Sequence, residues 1–278
     1  MFIISKIYSL EFNGISYHHS YDAHPNSKDF TFHCHNFFEI YYFIKGNGTF
    51  IIEGTHYKLK EKTLLIVRNS EFHHYKIDIP SEYERCALHF KVEDLSPILS
   101  NKILIEPFMS RPLGKFNIIE NYSNIDFQNI YSRIDKCSLL PIEEQKLMMQ
   151  FLLGELLTSI TCVFRKNTSL LHQETHKSLV TDLIQYINLN ISTKFSLENL
   201  ASNFYVSKYY ISHIFKEHTG VSIVEYVLRK KVALANQLIS QGKKAYEVCD
   251  QCGFGDYSSF YRAYKRILGI SPSNRVAK

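Results

Sequence analysis

Tryptophan is absent from this 278-residue sequence, and glycine is scarce, with 11 residues. Its large apolar surfaces must therefore come from 20 phenylalanines, 19 tyrosines and the aliphatic residues. Cysteine is thinly spread. Cys34, Cys86, Cys137, Cys162, Cys249 and Cys252 are too dispersed for a disulfide scaffold, which points to a reducing compartment. Cys249 and Cys252 have CxxC spacing, but no second Cys or His pair stands near them, so Cys249 is expected to be a small core residue of a helix. No run approaches the roughly 18 apolar residues of a membrane span. The first residues, MFIISKIYSL, lack a basic start and a small-residue cleavage site. These absences lead to the expectation of a cytoplasmic protein with no membrane partner.

Charge is unevenly placed. The net charge is +5, from 32 basic and 27 acidic residues. From Leu170 onward there are 14 Lys and Arg against 8 Asp and Glu, which leaves 18 against 19 for the first 169 residues. A positive excess confined to the C-terminal part is what a phosphate-facing surface requires. The length favours two domains, each with its own core.

Residues 1 to about 110 read mostly as β. FFEIYYFIKG, GTFIIEGTHYKL, KTLLIVRN and YERCALHF are short, aromatic and β-branched, and broken by turn residues. Gly46-Asn47-Gly48 and Gly54 mark expected hairpin turns. So many short strands predict a sandwich or small barrel. Within them, His33-Cys34-His35 is followed by Glu39 and Gly46, and later by His73-His74. The spacing HxH–x3–E–x6–G with a later His resembles the cupin signature. Where cupins carry Gly, Pro and Gly ahead of that later His, this sequence has Lys62, Arg68 and Ser70. On a strand of period two, His33 and His35 would share a face. His33, His35, Glu39 and His73 are the residues that would converge on a metal, but no metal and no cofactor is expected. The expected role of His33, His35, Glu39, Tyr41, His73 and His74 is to line an effector pocket, in which Tyr and His among apolar walls suit a small polar molecule such as a sugar.

From Asp126 the period turns helical. After the amphipathic FQNIYSRIDKC, Pro141 opens a long helix with Glu143 and Glu144 in its first turn. Leu147, Phe151, Leu152, Leu156, Ile160 and Val163 fall at helical spacing. Met148, Met149, Leu153 and Leu157 widen the stripe, so the helix needs two partners. One would be the barrel and the other either more of the same chain or the identical helix of a second copy. The expected organisation is therefore an effector domain over 1–125, a helical packing or dimerisation region over 126–165, a linker over 166–175, and an all-α domain over 176–278. The class is α+β.

The last hundred residues carry the pattern that organises the rest. After an amphipathic helix from His176 to Asn190, Ser196 caps LENLASNF and a turn at Tyr205-Val206 follows. Ser207 caps a helix over Lys208 to His218, which Gly220 closes. Ser222 and Glu225 predict a capping box for Ile223 to Ile239. Then the scheme repeats: a helix from Ala245, a turn at Gly253-Phe254, Asp256 as cap, and a helix over Tyr257 to Leu268. These are two helix-turn-helix units in tandem.

Leu197 to Ala201 (LxxLA), Ser207, Ile211, Phe215, Lys216 and Gly220 form an ordered series. It continues with Gly253-Phe254, Asp256, Ser259, Phe260, Lys265, Gly269 and Ser271-Pro272. It resembles the AraC-type family of transcriptional regulators, in which a cupin-like ligand domain commonly precedes the reader. The family usually has Arg at Lys231, Ala at Cys249 and Phe at Tyr264. The resemblance implies double-stranded DNA as partner, together with a small-molecule effector, RNA polymerase and a second copy of the chain, and no enzymatic activity. The second helix of each unit should enter a major groove, the two about 34 Å apart. Tyr209, Ser212, His213, Tyr257, Ser258, Ser259 and Arg262 are the expected base-reading residues. Lys208, Lys216, Arg229, Lys230, Lys231, Lys265 and Arg266 are expected on phosphates. The resemblance favours activation. The competing expectation is a metal-dependent cupin enzyme with a DNA-binding appendage.

Overall fold

The computed structural model describes residues 5–12, 14–119, 125–167 and 178–273. The chain divides into two compact units, one ending at His176 and the other comprising 177–278 together with residues 34–36 and 53–55.

The first unit contains β1 (Ser5–Phe12), β2 (Ile15–Asp22), β3 (Phe38–Lys45), β4 (Gly48–Ile52), β5 (Thr55–Lys58), β6 (Thr63–Val67), β7 (His73–Ile77) and β8 (Tyr83–Phe90). Helix α1 (Lys102–Met109), the short β9 (Ile118–Ile119), α2 (Phe127–Cys137) and α3 (Ile142–Asn167) follow. The strands form two sheets, ordered β1-β2-β8-β3-β6-β9 and β5-β4-β7. Alternation along β3 places neighbouring residues on opposite faces. Tyr41 and Phe43 join Leu65, Val67 and Tyr83 of the large sheet and Phe50, Ile52 and Tyr75 of the small one in a core between the sheets. Ile40 and Tyr42 face the other way, into a larger core with Leu64, Ile66, Cys86, Leu88 and the helices. With both faces covered, β3 reads as a continuous apolar run from Ile40 to Ile44.

Three expectations change here. Gly46-Asn47-Gly48 joins β3 to β4, which lie in different sheets, so it turns a corner between sheets and does not close a hairpin. The true hairpin turn is Glu53-Gly54 between β4 and β5, with φ of 47° and 75°. Helix α3 is long and apolar enough to cross a bilayer by length and composition, although half of the window that qualifies is buried within the structure. Its buried stripe includes Met149, Leu152, Leu153, Leu156, Leu157, Ile160 and Val163, whereas Leu147, Met148 and Phe151 of the same apolar stripe are exposed. Helix α3 also runs through residues 166 and 167, the expected start of the linker. Residues 168–175 of that linker lie outside the described residues.

The second unit is helical: α4 (Leu179–Leu189), α5 (Leu197–Asn203), α6 (Lys208–Thr219), α7 (Ile223–Ser240), α8 (Ala245–Gln251) and α9 (Tyr257–Leu268). The expected start of α4 at His176 lies outside the described residues; its described part opens on the Ser178 cap. Local chemistry sets the other boundaries. Ser196, Ser207, Ser222 and Asp256 each accept a backbone N–H from the third residue beyond, as an N-cap does. Gly220 and Gly269 end α6 and α9 in the left-handed region, at φ of 79° and 74°. Around α7, Val232 and Ala235 pack with Val248, Cys249, Cys252, Phe260, Ala263 and Tyr264. Burial pushes both thiols up, Cys252 to about 11, so they are inert core groups.

Candidate nucleic-acid interface and effector-domain site

The two halves of the helical unit share one construction. In each, a short helix ends in a turn whose first residue is left-handed: Tyr205 at φ 55° and Gly253 at φ 65°. The backbone hydrogen bonds correspond as well. Val206 N donates to Ala201 O and Phe254 N to Cys249 O. A side-chain cap then starts the longer helix, α6 or α9. Ile211 and Phe215 of α6, and Phe260, Ala263 and Tyr264 of α9, bury one face of each helix. The opposite faces carry the expected readers.

Tyr209 and His213 are exposed, with rings stacked one helical turn apart at 6.1 Å and 7° between planes. Ser212 is half-buried between them. On α9, Tyr257, Ser258 and Arg262 are exposed. Ser259 is more committed: its Oγ donates to Asp256 Oδ2 at 2.8 Å while its N–H is capped by the same carboxylate.

The basic residues divide. Lys216 and Lys265 are exposed, and Lys208 is exposed but paired with Glu198 at 2.8 Å. Arg229 and Arg266 both bind the Glu225 carboxylate, at 2.7 and 2.8 Å. Glu225 therefore completes only half of the expected capping box, because its backbone N–H goes to Ser222 while its carboxylate turns to the two arginines. Lys230 and Lys231 are each 5% exposed, and a buried ammonium cannot meet a phosphate. For Lys231 the cause is explicit. Its Nζ donates to Thr193 O at 2.9 Å and to Gly253 O at 2.5 Å, tying the loop before α5 to the turn before α9. Gly253 packs against the same loop so closely that a Cβ there would lie 2.4 Å from Ser192 O.

In the first unit, Tyr41 is a core residue; its hydroxyl lies 2.6 Å from that of Tyr83 and its ring 4.7 Å from Phe50. His73 and His74 are neighbours on β7 and so point to opposite faces. His74 packs edge-on against Phe32, and burial with the nearby charges of His73, His56 and Lys76 pushes it down to about 4. The HxH segment is not in a continuous strand, because His33 forms only an isolated bridge with His73. His33 stands beside His73, with ring centroids 4.4 Å apart. Glu39 Oε2 is 3.2 Å from His73 Nε2, and Glu39 Oε1 is 3.5 Å from His89 Nε2. Burial works against charge on His73, but the hydrogen bond and charge of Glu39 outweigh it and raise its pKa. The imidazole and carboxylate donors fit a first-row divalent metal. The signature's two glycine places keep the glycine-like backbone, with Lys62 at φ 65° and Ser70 at φ 62°.

A separate cleft of about 350 Å³ lies between the large sheet and α2, lined by His19, Tyr42, Lys45, Glu84, Tyr131 and Asp135 among others. Burial alone would lower the His19 pKa, but hydrogen bonds to Asp135 (3.0 Å) and Glu84 (2.9 Å), with a contribution from Cys86, push it up to about 11.

Residues 200–276 match the family model described as a helix-turn-helix domain, and residues 19–132 match the AraC-like ligand binding domain. The chain belongs to the AraC family of transcriptional regulators. A probable transcriptional regulator, LumQ of Photobacterium leiognathi, is 28% identical over 180 residues, covering 63% of this chain and 71% of LumQ. The transcriptional regulatory protein HptR of Staphylococcus aureus is 33% identical over 95 residues, 34% of this chain and only 38% of HptR. Among solved structures, the C-terminal domain of the two-component response regulator yesN from Fusobacterium nucleatum shares 28% identity, covering 32% of this chain and 89% of that one with a TM-score of 0.32.

Three features of this AraC-family chain escaped the sequence reading. His89 stands on β8 directly across from Glu39 on β3, a pairing of distant segments that no local pattern reveals. Tyr205 is 96% exposed at the turn into α6, an aromatic beside the reading face. Lys231 was legible as a basic residue but acts as an internal tie.

Proposed function

We propose that this AraC-family chain is a one-component regulator. Its α6 and α9 enter successive major grooves of duplex DNA, and its first unit binds a small molecule that changes operator affinity. The observation that carries this reading is the pair of capped helices with polar outer faces and buried inner ones. Tyr209, Ser212 and His213 on the first, and Tyr257, Ser258 and Arg262 on the second, are offered to base edges. Lys216 and Lys265 serve phosphates, which hold register without reading sequence. The effector is a small polar molecule such as a sugar, and control requires it to bind two states of the protein unequally. Its place is the histidine-lined end of the first unit or the cleft beside α2.

Exposed Leu147, Met148 and Phe151 in the first turns of α3, with Leu139 just before it, supply an apolar patch for a second copy. In this reading the dimer works in the cytoplasm, recruits RNA polymerase and activates transcription. The test is selection of bound duplexes from a random library, followed by mobility-shift titration. Arg262→Ala should weaken binding about 5- to 150-fold, the equivalent of about 1–3 kcal/mol, and relax preference at one base pair. Failure of the intact chain to select any sequence would defeat the proposal.

A further inference from the structure

We propose, resting on the DNA reading above, that Tyr205 is a further contact to DNA: its ring lies against the sugar–phosphate rim of the major groove that α6 enters, and its hydroxyl donates to a phosphate. Two independent observations single this residue out. The first is conformational. Tyr205 sits at φ 55°, in the left-handed region. That region crowds a Cβ, so a tyrosine there is strained where a glycine would not be. The matching turn of the second half has Gly253 at φ 65°. The second observation is exposure. Tyr205 is 96% exposed, more than any other large apolar side chain among the described residues. A ring so exposed packs on nothing, and no burial offsets the strain. A bulky aromatic that strains the fold without supporting it has its partner outside the chain.

Its place says which partner. In a helix-turn-helix unit the first helix crosses the DNA backbone, and the second enters the major groove by its N-terminal end. Tyr205 lies between the two. Its N–H donates to Ser202 O near the end of α5 at 3.2 Å, and Ser207, two residues on, caps α6. The turn therefore stands at the rim of the groove, over backbone and not over bases. The exposed surface continues from it through Ser207, Lys208 and Tyr209. A phosphate oxygen accepts and a phenol donates, so the two are matched without any charge on the protein side. The second half has no equivalent. Gly253 carries no side chain, and a Cβ there would lie 2.4 Å from Ser192 O and 2.7 Å from Thr193 O. This contact belongs to the first half alone.

The full-length chain is titrated by fluorescence anisotropy against a duplex selected from the random library and against a scrambled one, over a series of salt concentrations. Tyr205→Phe should weaken binding to both duplexes by the same factor, roughly five- to thirtyfold, because a hydrogen bond to a charged group is lost and no base is read. Tyr205→Gly, which also removes the ring, should lose at least as much. A phenol carries no charge, so the slope of log affinity against log salt should keep its wild-type value, whereas Lys216→Ala should lower its magnitude by about 0.9. Tyr205→Phe leaves the backbone of the turn unchanged, and Tyr205→Gly should melt at or above the wild-type temperature, so neither loss is one of folding. Tyr205→Phe binding both duplexes as the wild type does overturns the proposal, whatever Tyr205→Gly does. A loss confined to the selected duplex overturns it too, since Tyr205 would then read a base. A wild-type chain that binds no duplex defeats the DNA reading itself, and this contact with it.

Discussion

Replacing Lys231 by Met keeps the unbranched apolar stem of the side chain and removes its charge and its three donors. Two carbonyls, Thr193 O and Gly253 O, then lose their shared partner in a place where the side chain is 5% exposed. Each buried acceptor left unsatisfied costs about 1–3 kcal/mol. Part of this is offset because the buried ammonium carried its own desolvation, which lowers its pKa. The expected net loss is about 2–4 kcal/mol, from two carbonyl penalties less that relief. Because the lysine ties the two helix-turn-helix halves together, the loss should be local as well as global. Hydrogen–deuterium exchange should speed up in α8 and α9, and operator binding should become tolerant of altered half-site spacing. Lys231→Arg, which can serve both carbonyls from one guanidinium, should lose less than half as much. A Lys231→Met protein within about 0.5 kcal/mol of wild type, a difference usual for an exposed surface change, would refute the reasoning, as would one with unchanged exchange in α8.

A second prediction concerns Glu71 and Arg111, both fully buried and joined by two hydrogen bonds of 2.8 and 2.6 Å. Burial opposes ionisation of Glu71, but the charge and hydrogen bonds of Arg111, with the Gly114 N–H and Arg68, push its pKa down to about 2 from 4.5. The folded value lies below the unfolded one. This contribution is therefore complete above about pH 4.5 and disappears as pH falls from there to about 2. Glu71→Gln should cost about 3–5 kcal/mol at neutral pH in denaturant titration and flatten the acid limb of the stability profile. Tyr205→Gly should stabilise by up to about 1 kcal/mol by relieving a left-handed residue with little burial to lose. Gly253→Ala should destabilise by about 2–4 kcal/mol through strain and the clash with Ser192 O.

The helical unit was legible because its signals are local. Ser196, Ser207, Asp256, Gly220 and Gly269 each act on residues within one turn, and the structure uses all five as caps or stops. The first unit was legible only in its strands. Alternation shows that Tyr41 and Phe43 share a face, but not that the next strand leaves for another sheet. That is why Gly46-Asn47-Gly48 was misplaced. Sequence spacing drew His33, His35, Glu39 and His73 together, yet His89 required the register of β3 with β8. Charge patterning likewise marked Lys230 and Lys231 as basic surface, since the burial that removes them from it comes from packing that the pattern does not encode.

The two turns, alike in backbone, differ in what surrounds them. Around Tyr205 there is solvent, and around Gly253 there are the carbonyls of residues 192 and 193. Substitutions can accumulate at the first without disturbing the packing, whereas the second admits glycine alone. A regulator of this design can therefore change its taste at one half-site over generations while the other stays anchored. If α6 and α9 read DNA as proposed, its operators should diverge lopsidedly among descendants, drifting on the side facing α6 and holding steady on the side facing α9.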